Sequence, residues 1–435
     1  MHRLSVVFVV LLAAACGAPQ AAPEATPTWH HDVAPIVERS CAGCHVKGGI
    51  APFALTTYAE VKSMGAALKA AVEARRMPPF LASHDCAEYL DDPSLSAGEI
   101  ASIGKWVDAD APEGTPEAVT NKGLEGAGLT RVDVSLQMPI DYTPQLQPDD
   151  YRCFVIDWPY ATTKYVTGFR AKPGNASVVH HVIGFLIPPE RVAAYQKLDD
   201  DEAGAGYTCF GGAGAGNDRA ISWVGAWAPG GAGNMYADGT GLGVAPGSKI
   251  VIQVHYNSRT ASPGSDRTTL EMALADEVRH KAILAPFTNP DWPQGVGMEI
   301  PAYQMVTHSW SFDPTPYLGL MTNGVLESNQ AMKIHMTTMH QHLLGTTNKL
   351  WIDHADGTKE CLVDIPRWDF HWQRNYQLKK ARVLKPGDKL SLSCTWDNTA
   401  ENQPVIGGVK QTSHDVKWGE STTDEMCLGV VYVTE

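Results

Sequence analysis

The sequence predicts a small helical domain followed by two antiparallel β-sandwiches, and three features carry that expectation. The chain has 435 residues, more than the roughly 250–300 that one hydrophobic core usually serves, so two or three domains are expected. Before about residue 115, apolar residues recur at helical spacing; from Val132 onward, short alternating runs are broken by Pro, Gly, Asn and Asp. The 40 glycines and 29 prolines suit a loop-rich, strand-rich chain.

The formal net charge of −14 leaves no basic stripe to offset phosphate repulsion, which argues against nucleic-acid partners and anionic membrane surfaces. Residues 1–16 have the shape of a bacterial export signal: Arg3, then an uncharged run from Leu4 to Ala15, then Cys16. The run is too short to span a bilayer. Leu12-Ala13-Ala14-Ala15-Cys16 resembles a lipoprotein cleavage box, although Ala13 stands where leucine is commoner, so the expected location is periplasmic or outer-membrane, held by a lipid anchor only, the alternative being ordinary cleavage with a free Cys16. The Ala- and Pro-rich segment 17–28 reads as a tether.

Residues 29–115 form the expected helical domain. Helices are predicted over Val33 to Arg39, over Tyr58 to Arg75, and from Ser96 to Val107, where Ser96 and Glu99 make a capping box. Within this domain Cys41-Ala42-Gly43-Cys44-His45 has the spacing for covalent attachment of a c-type haem, two thiols for the vinyl groups and a histidine for the iron. Met77, followed by Pro78 and Pro79 in an extended loop, is the expected sixth ligand, whereas Met64 falls on the core face of a helix. The stretch from Trp29 to Gly114 resembles the class I-like cytochrome c domains fused to bacterial oxidoreductases, which implies one-electron transfer. A linker at 116–130 ends the domain.

The two sandwiches are expected at 131–288 and 289–435, with strands at Tyr151 to Ile156, Ser177 to Ile187, Lys249 to Tyr256, Lys349 to Asp353, Lys389 to Thr395 and Cys427 to Val433. Their chemistry-bearing residues are His180, His181, His255, His340, His342 and Met426. Imidazole suits copper in both oxidation states and thioether favours the cuprous ion, so these six residues propose two copper sites of different character. Strand geometry discriminates among them. His340 and His342, two apart, leave the same face of an extended strand, but the adjacent His180 and His181 share an ion only if a bulge or twist intervenes.

Export permits disulfides. With Cys16, Cys41 and Cys44 set aside, six cysteines remain and allow fifteen pairings. Cys394 and Cys427 lie in neighbouring strand-like segments, and Cys153 and Cys209 bracket the histidine doublet.

Taken in order, Val179-His180-His181-Val182, Trp227-Ala228-Pro229-Gly230, Gln253-Val254-His255-Tyr256, His340-Gln341-His342-Leu343-Leu344-Gly345 and Asp424-Glu425-Met426-Cys427 resemble the copper type II, ascorbate-dependent monooxygenases. The resemblance implies two jelly-roll-like sandwiches, one copper in each, facing across an open cleft. It assigns His180, His181 and His255 to an electron-transfer copper, and His340, His342 and Met426 to the copper that binds oxygen and substrate. It also implies a Cys394–Cys427 disulfide; Cys153–Cys209 is inferred beside it, leaving Cys86 and Cys361 free or joining the haem domain to the second sandwich.

The activity so implied is hydroxylation of a C–H bond of a small organic substrate by O2, with ascorbate or a periplasmic donor supplying electrons, the haem being a route for them. Where the peptide-processing branch has polar side chains, this chain has Leu428, Gly429 and Val430, so a peptide anchor is not expected. The competing reading is a tethered copper-binding electron-transfer protein without oxygenase activity.

Overall fold

The computed structural model describes residues 25–47, 51–116, 124, 126–204, 206–209, 212–214, 222–229, 231–257 and 263–435. The export signal, Cys16 and most of the tether lie outside the described residues. Among the described residues no helix is long and apolar enough to cross a membrane.

The N-terminal segment is helical, with Ala34–Ser40, Tyr58–Ser63, Gly65–Glu73 and Ala97–Asp108 around a core that includes Val33, Val37, Val61, Leu68, Ile103 and Trp106. Ser96 caps the last helix in a capping box with Glu99. The helix expected over Tyr58 to Arg75 is instead two helices separated at Met64. Ser63 Oγ donates back to the Glu60 carbonyl and Gly65 follows, both of which weaken continuation of the turn.

From Val134 onward strands in sheets dominate the regular structure, beside the helix Val192–Asp201 and a short one at Leu318–Met321. A nine-stranded sheet runs in the order Val134–Gln137, Thr269–Ala275, Lys164–Lys172, Thr240–Val244, His280–Phe287, Leu428–Thr434, Met332–His340, Tyr376–Leu384, with Asn234–Met235 pairing Lys164–Lys172 off this path. Strands from both sides of residue 288 share it. His280–Phe287 pairs antiparallel with Leu428–Thr434 and makes a short parallel pairing with Thr240–Val244.

This shared sheet buries both faces, because alternate residues of a strand point to opposite sides. Ala282, Leu284, Met336, Val430 and Tyr432 enter one core with the five-stranded sheet Tyr207–Thr208, Asp149–Asp157, Lys249–Asn257, Val179–Ile187, Trp223–Trp227. Ile283, Phe287, Ile334, Val431 and Val433 enter a second core with the four-stranded sheet Met305–Phe312, Lys389–Asp397, Gly345–Asp353, Lys359–Ile365. Gly225 is required where the first core is tightest: a Cβ there would stand 2.1 Å from the Phe169 ring.

Three disulfides lock this arrangement: Cys86–Cys361, Cys153–Cys209 and Cys394–Cys427. Of the two fates open to Cys86 and Cys361, the structure shows the second, a bond from the helical segment to the second sandwich. Around it, residues 80–91 leave the helical core and lie on that sandwich. Ser83 N donates to the Asp364 carbonyl, Leu90 N to the Gln377 carbonyl, and Tyr89 OH to the Leu362 carbonyl.

Candidate metal centre

His180, His181 and His255 each offer a ring nitrogen within 4.8 Å of the others. The adjacent pair manages this through the required irregularity. Against Lys249–Asn257, Val179 faces Tyr256 and His181 faces His255, so His180 is an inserted residue and the register shifts there. A bulge re-aims one side chain, which lets neighbours converge. His255 Nε2 bonds Asp149 Oδ1 at 2.9 Å, which makes that nitrogen the donor and leaves the Nδ1 lone pair facing His181 Nδ1 at 3.3 Å. His180 Nε2 is buried with no hydrogen-bond partner.

The second group forms where two strands run side by side. His340 faces Leu428 across the pair Met332–His340 and Leu428–Thr434, and His342 and Met426 lie two residues beyond the ends of that pairing. His340 ends its strand, and His342 lies just past it rather than within it. His340 Nδ1 bonds Gln373 Oε1, and His342 Nδ1 bonds the Asp424 carbonyl at 3.1 Å, so both Nε2 atoms keep their lone pairs. Glu425 is the fastener: its carboxylate accepts from the backbone N–H of His342 at 2.9 Å, of Leu344 at 2.6 Å and of Met426 at 3.3 Å, and from Trp396 Nε1 at 2.7 Å. Trp368 Nε1 holds the His342 carbonyl at 3.1 Å.

The two groups adjoin. The ring centroids of His181 and His340 are 6.3 Å apart, and Phe370 stacks on His180 at 4.4 Å while its edge approaches His342 at 6.0 Å. The open cleft expected between them is therefore replaced by direct side-chain contact. The shared sheet explains it, since it carries the His340 strand and packs on the sheet that carries the triplet. Asp149, which orients His255, also accepts from Thr422 Oγ1 at 2.6 Å and so ties the triplet to the segment leading into Met426.

Burial holds all five imidazoles below their ordinary pKa, His340 at about 4 and His342 at about 3, with the triplet shifted in the same direction. Neutral rings with free lone pairs are what a metal ion needs. Burial lifts the Asp149 carboxyl, but hydrogen bonds from His255, Thr422 and Asn257 outweigh it and keep the group ionised. Glu425 is raised to about 7 by burial, despite its four donors. A cavity of about 1430 Å³ reaches both groups, its lining including His181, His340, His342, Met426, Trp227 and Asn375.

In the helical segment, Cys41 and Cys44 are the free cysteines among the described residues. His45 Nδ1 bonds the Phe53 carbonyl at 3.1 Å, which leaves Nε2 as the available nitrogen. Two unbridged thiols beside such a histidine fit the donor set of a covalently attached haem. Met77 lies past the helix Gly65–Glu73, where the chain turns towards the second sandwich.

Asp149 and Gln373 were not anticipated from the sequence. Each orients a histidine from a distant strand or loop, and only strand register or loop path brings them there; no local pattern marks them. Glu425 stood in a quoted motif, but its fastening role follows from the turn after His342.

A sheet-rich chain that brings five histidines together defines a candidate metal-binding class, and part of it is similar to known proteins. Residues 321–434 match the C-terminal domain model of the copper type II ascorbate-dependent monooxygenases. Dopamine beta-hydroxylase of Canis lupus familiaris is 23% identical over 215 residues, 48% of this chain and 31% of that protein. MOXD1 homolog 1 of Drosophila melanogaster is 23% identical over 220 residues, 48% of this chain and 28% of that protein. The matches thus span under a third of these relatives' own length. Among solved structures, that of infectious bursal disease virus Gx strain aligns with TM-score 0.17 and 10% identity over 73% of this chain and 75% of that one, which says nothing about this fold.

Proposed function

We propose that this protein is an exported copper-dependent monooxygenase that hydroxylates a C–H bond of a small organic substrate with O2, drawing electrons from ascorbate or a periplasmic donor through a haem c carried by Cys41, Cys44, His45 and Met77. What supports the reading is that the triplet His180, His181 and His255 adjoins His340, in a cavity that His342 and Met426 also line. Copper bound there would supply one-electron chemistry between its cuprous and cupric forms, and the overall change takes one O2, two electrons and two protons to an alcohol and water.

The chain's own residues set the conditions for that change. Asp149 fixes the His255 ring so that its Nδ1 turns inward, and Gln373 and the Asp424 carbonyl fix His340 and His342 so that their Nε2 atoms do. Glu425 holds the backbone of His342 and Met426 in one grip. Phe370 sets an apolar ring against both groups, 4.4 Å from His180 and 6.0 Å from His342. The adjoining cavity admits a small molecule, and Leu428 and Val430 offer it no ionic anchor.

Metal analysis followed by oxygen uptake with reductant and a panel of phenethylamine, peptidyl and alicyclic compounds tests this. Two coppers per chain, with uptake coupled to a hydroxylated product, support it; copper without oxygen consumption leaves an electron-transfer or copper-sequestering protein.

A further inference from the structure

The helical segment is fastened to one side of the metal pair. Residues 80–91 are locked on the second sandwich by Cys86–Cys361, and Phe80 packs edge-on against Tyr376 at 5.5 Å. At the far end of this strap, Arg374 donates to both the Asp91 carboxylate at 2.6 Å and the Asp91 carbonyl at 2.7 Å, while its guanidinium lies 5.4 Å from the Phe80 ring. Asp91 adopts a left-handed backbone, φ 55°, a conformation that Asp tolerates better than most residues and that this ion pair helps to hold.

Two observations give the docking a direction. The strap begins three residues after Met77, the sixth haem ligand in the reading above, and Phe80 at its start lies against Arg374. Arg374 also directly follows Gln373, whose side-chain oxygen holds His340 and whose amide donates to the Phe370 carbonyl at 2.9 Å. The path from the guanidinium to the His340 ring is therefore two side chains, one peptide unit and one hydrogen bond.

Resting on the haem and copper reading above, we infer that electrons enter the metal pair at the His340, His342 and Met426 group, through Arg374 and Gln373, and reach the His180, His181 and His255 group only afterwards. The step is a one-electron transfer: ferrous haem iron becomes ferric, a cupric ion at the His340 group becomes cuprous, and no bond forms or breaks. Arg374 and Gln373 act as positioning residues, the first holding the strap and the second the ligand ring.

The test uses the full chain with haem and copper in place, mixed anaerobically as ferrous haem and cupric copper, and follows the reduced haem absorption. Metal analysis first fixes the copper content of His255→Ala and His342→Ala at one per chain. The inference expects His255→Ala to oxidise the haem as fast as wild type and His342→Ala to lose that phase; Arg374→Met should slow it with both coppers retained. Freeze-quenched wild type, read by electron paramagnetic resonance, should pass first from its coupled spectrum to the isolated cupric signal that His342→Ala retains. The reverse order, or a fast phase that survives in His342→Ala and vanishes in His255→Ala, overturns it. Wild-type haem that stays reduced beside two cupric ions would instead remove the haem as electron source, and this inference with it, while leaving the copper sites standing.

Discussion

His181 and His340 face each other with ring centroids 6.3 Å apart, although one belongs to the five-stranded sheet and the other to the end of a strand in the shared nine-stranded sheet. Two ligand groups built on different layers are thereby made neighbours, and the shared sheet fixes their separation. Ions held at the two groups would sense each other directly.

Replacing Met426 with Leu keeps the volume of a buried side chain and removes the sulfur. Because thioether favours the cuprous ion, the variant should keep its cupric content and bind one cuprous ion more weakly. Competition with a cuprous chelator reads the difference.

Glu425→Gln puts an amide NH2 where the buried carboxylate now accepts N–H groups on both oxygens. At least one of those donors would then meet another donor. Loss of a partner that orients a ligand typically costs about 10–100-fold in metal affinity, so the expected result is one copper held as in wild type and one weakened by that order. Equilibrium dialysis at graded copper concentrations checks it.

How much of this was legible in the sequence depends on how local each signal is. Period-two runs gave the strands Val179–Ile187, Lys249–Asn257 and Lys389–Asp397 within a few residues of where they lie, because alternation is a property of neighbouring positions. The need for a bulge at the His180-His181 doublet was likewise readable from strand geometry, and the register shift lies there. What could not be read was long-range: that His280–Phe287 joins Leu428–Thr434 into one sheet across both sandwiches, and that Gln373 reaches His340. Those contacts depend on register between strands far apart in the chain, which no window of sequence contains.

In the metal-free protein the five site imidazoles make stability depend on pH in a stated direction. Burial lowers their folded pKa below the ordinary 6.5, so below that pH the unfolded chain binds protons that the folded chain refuses, and stability falls as pH drops from 6.5 towards about 4. Glu425 and Glu420, both raised by burial to about 7 from 4.5, have the opposite slope between those values. Five groups outweigh two, so the thermal midpoint of the apo protein should fall between pH 6.5 and 4.5. A flat or rising midpoint would show that the rings are not buried and neutral.

Cys86→Ser with Cys361→Ser frees the strap between the helical segment and the second sandwich. The bond closes a loop with a sequence separation of 275, and its loss should cost about 5–6 kcal/mol in the chain-entropy account. A lowered unfolding midpoint and faster protease cutting within residues 80–91 are expected, with copper content unchanged.

The most direct measurement of the central claim is electron paramagnetic resonance of the fully cupric protein, beside His255→Ala and His342→Ala. Two ions held by neighbouring groups should give a dipole-coupled spectrum in the wild type and a simple isolated cupric spectrum in each variant. A wild-type spectrum equal to the sum of the two variants' isolated signals would contradict the account, because it would place the two ions apart.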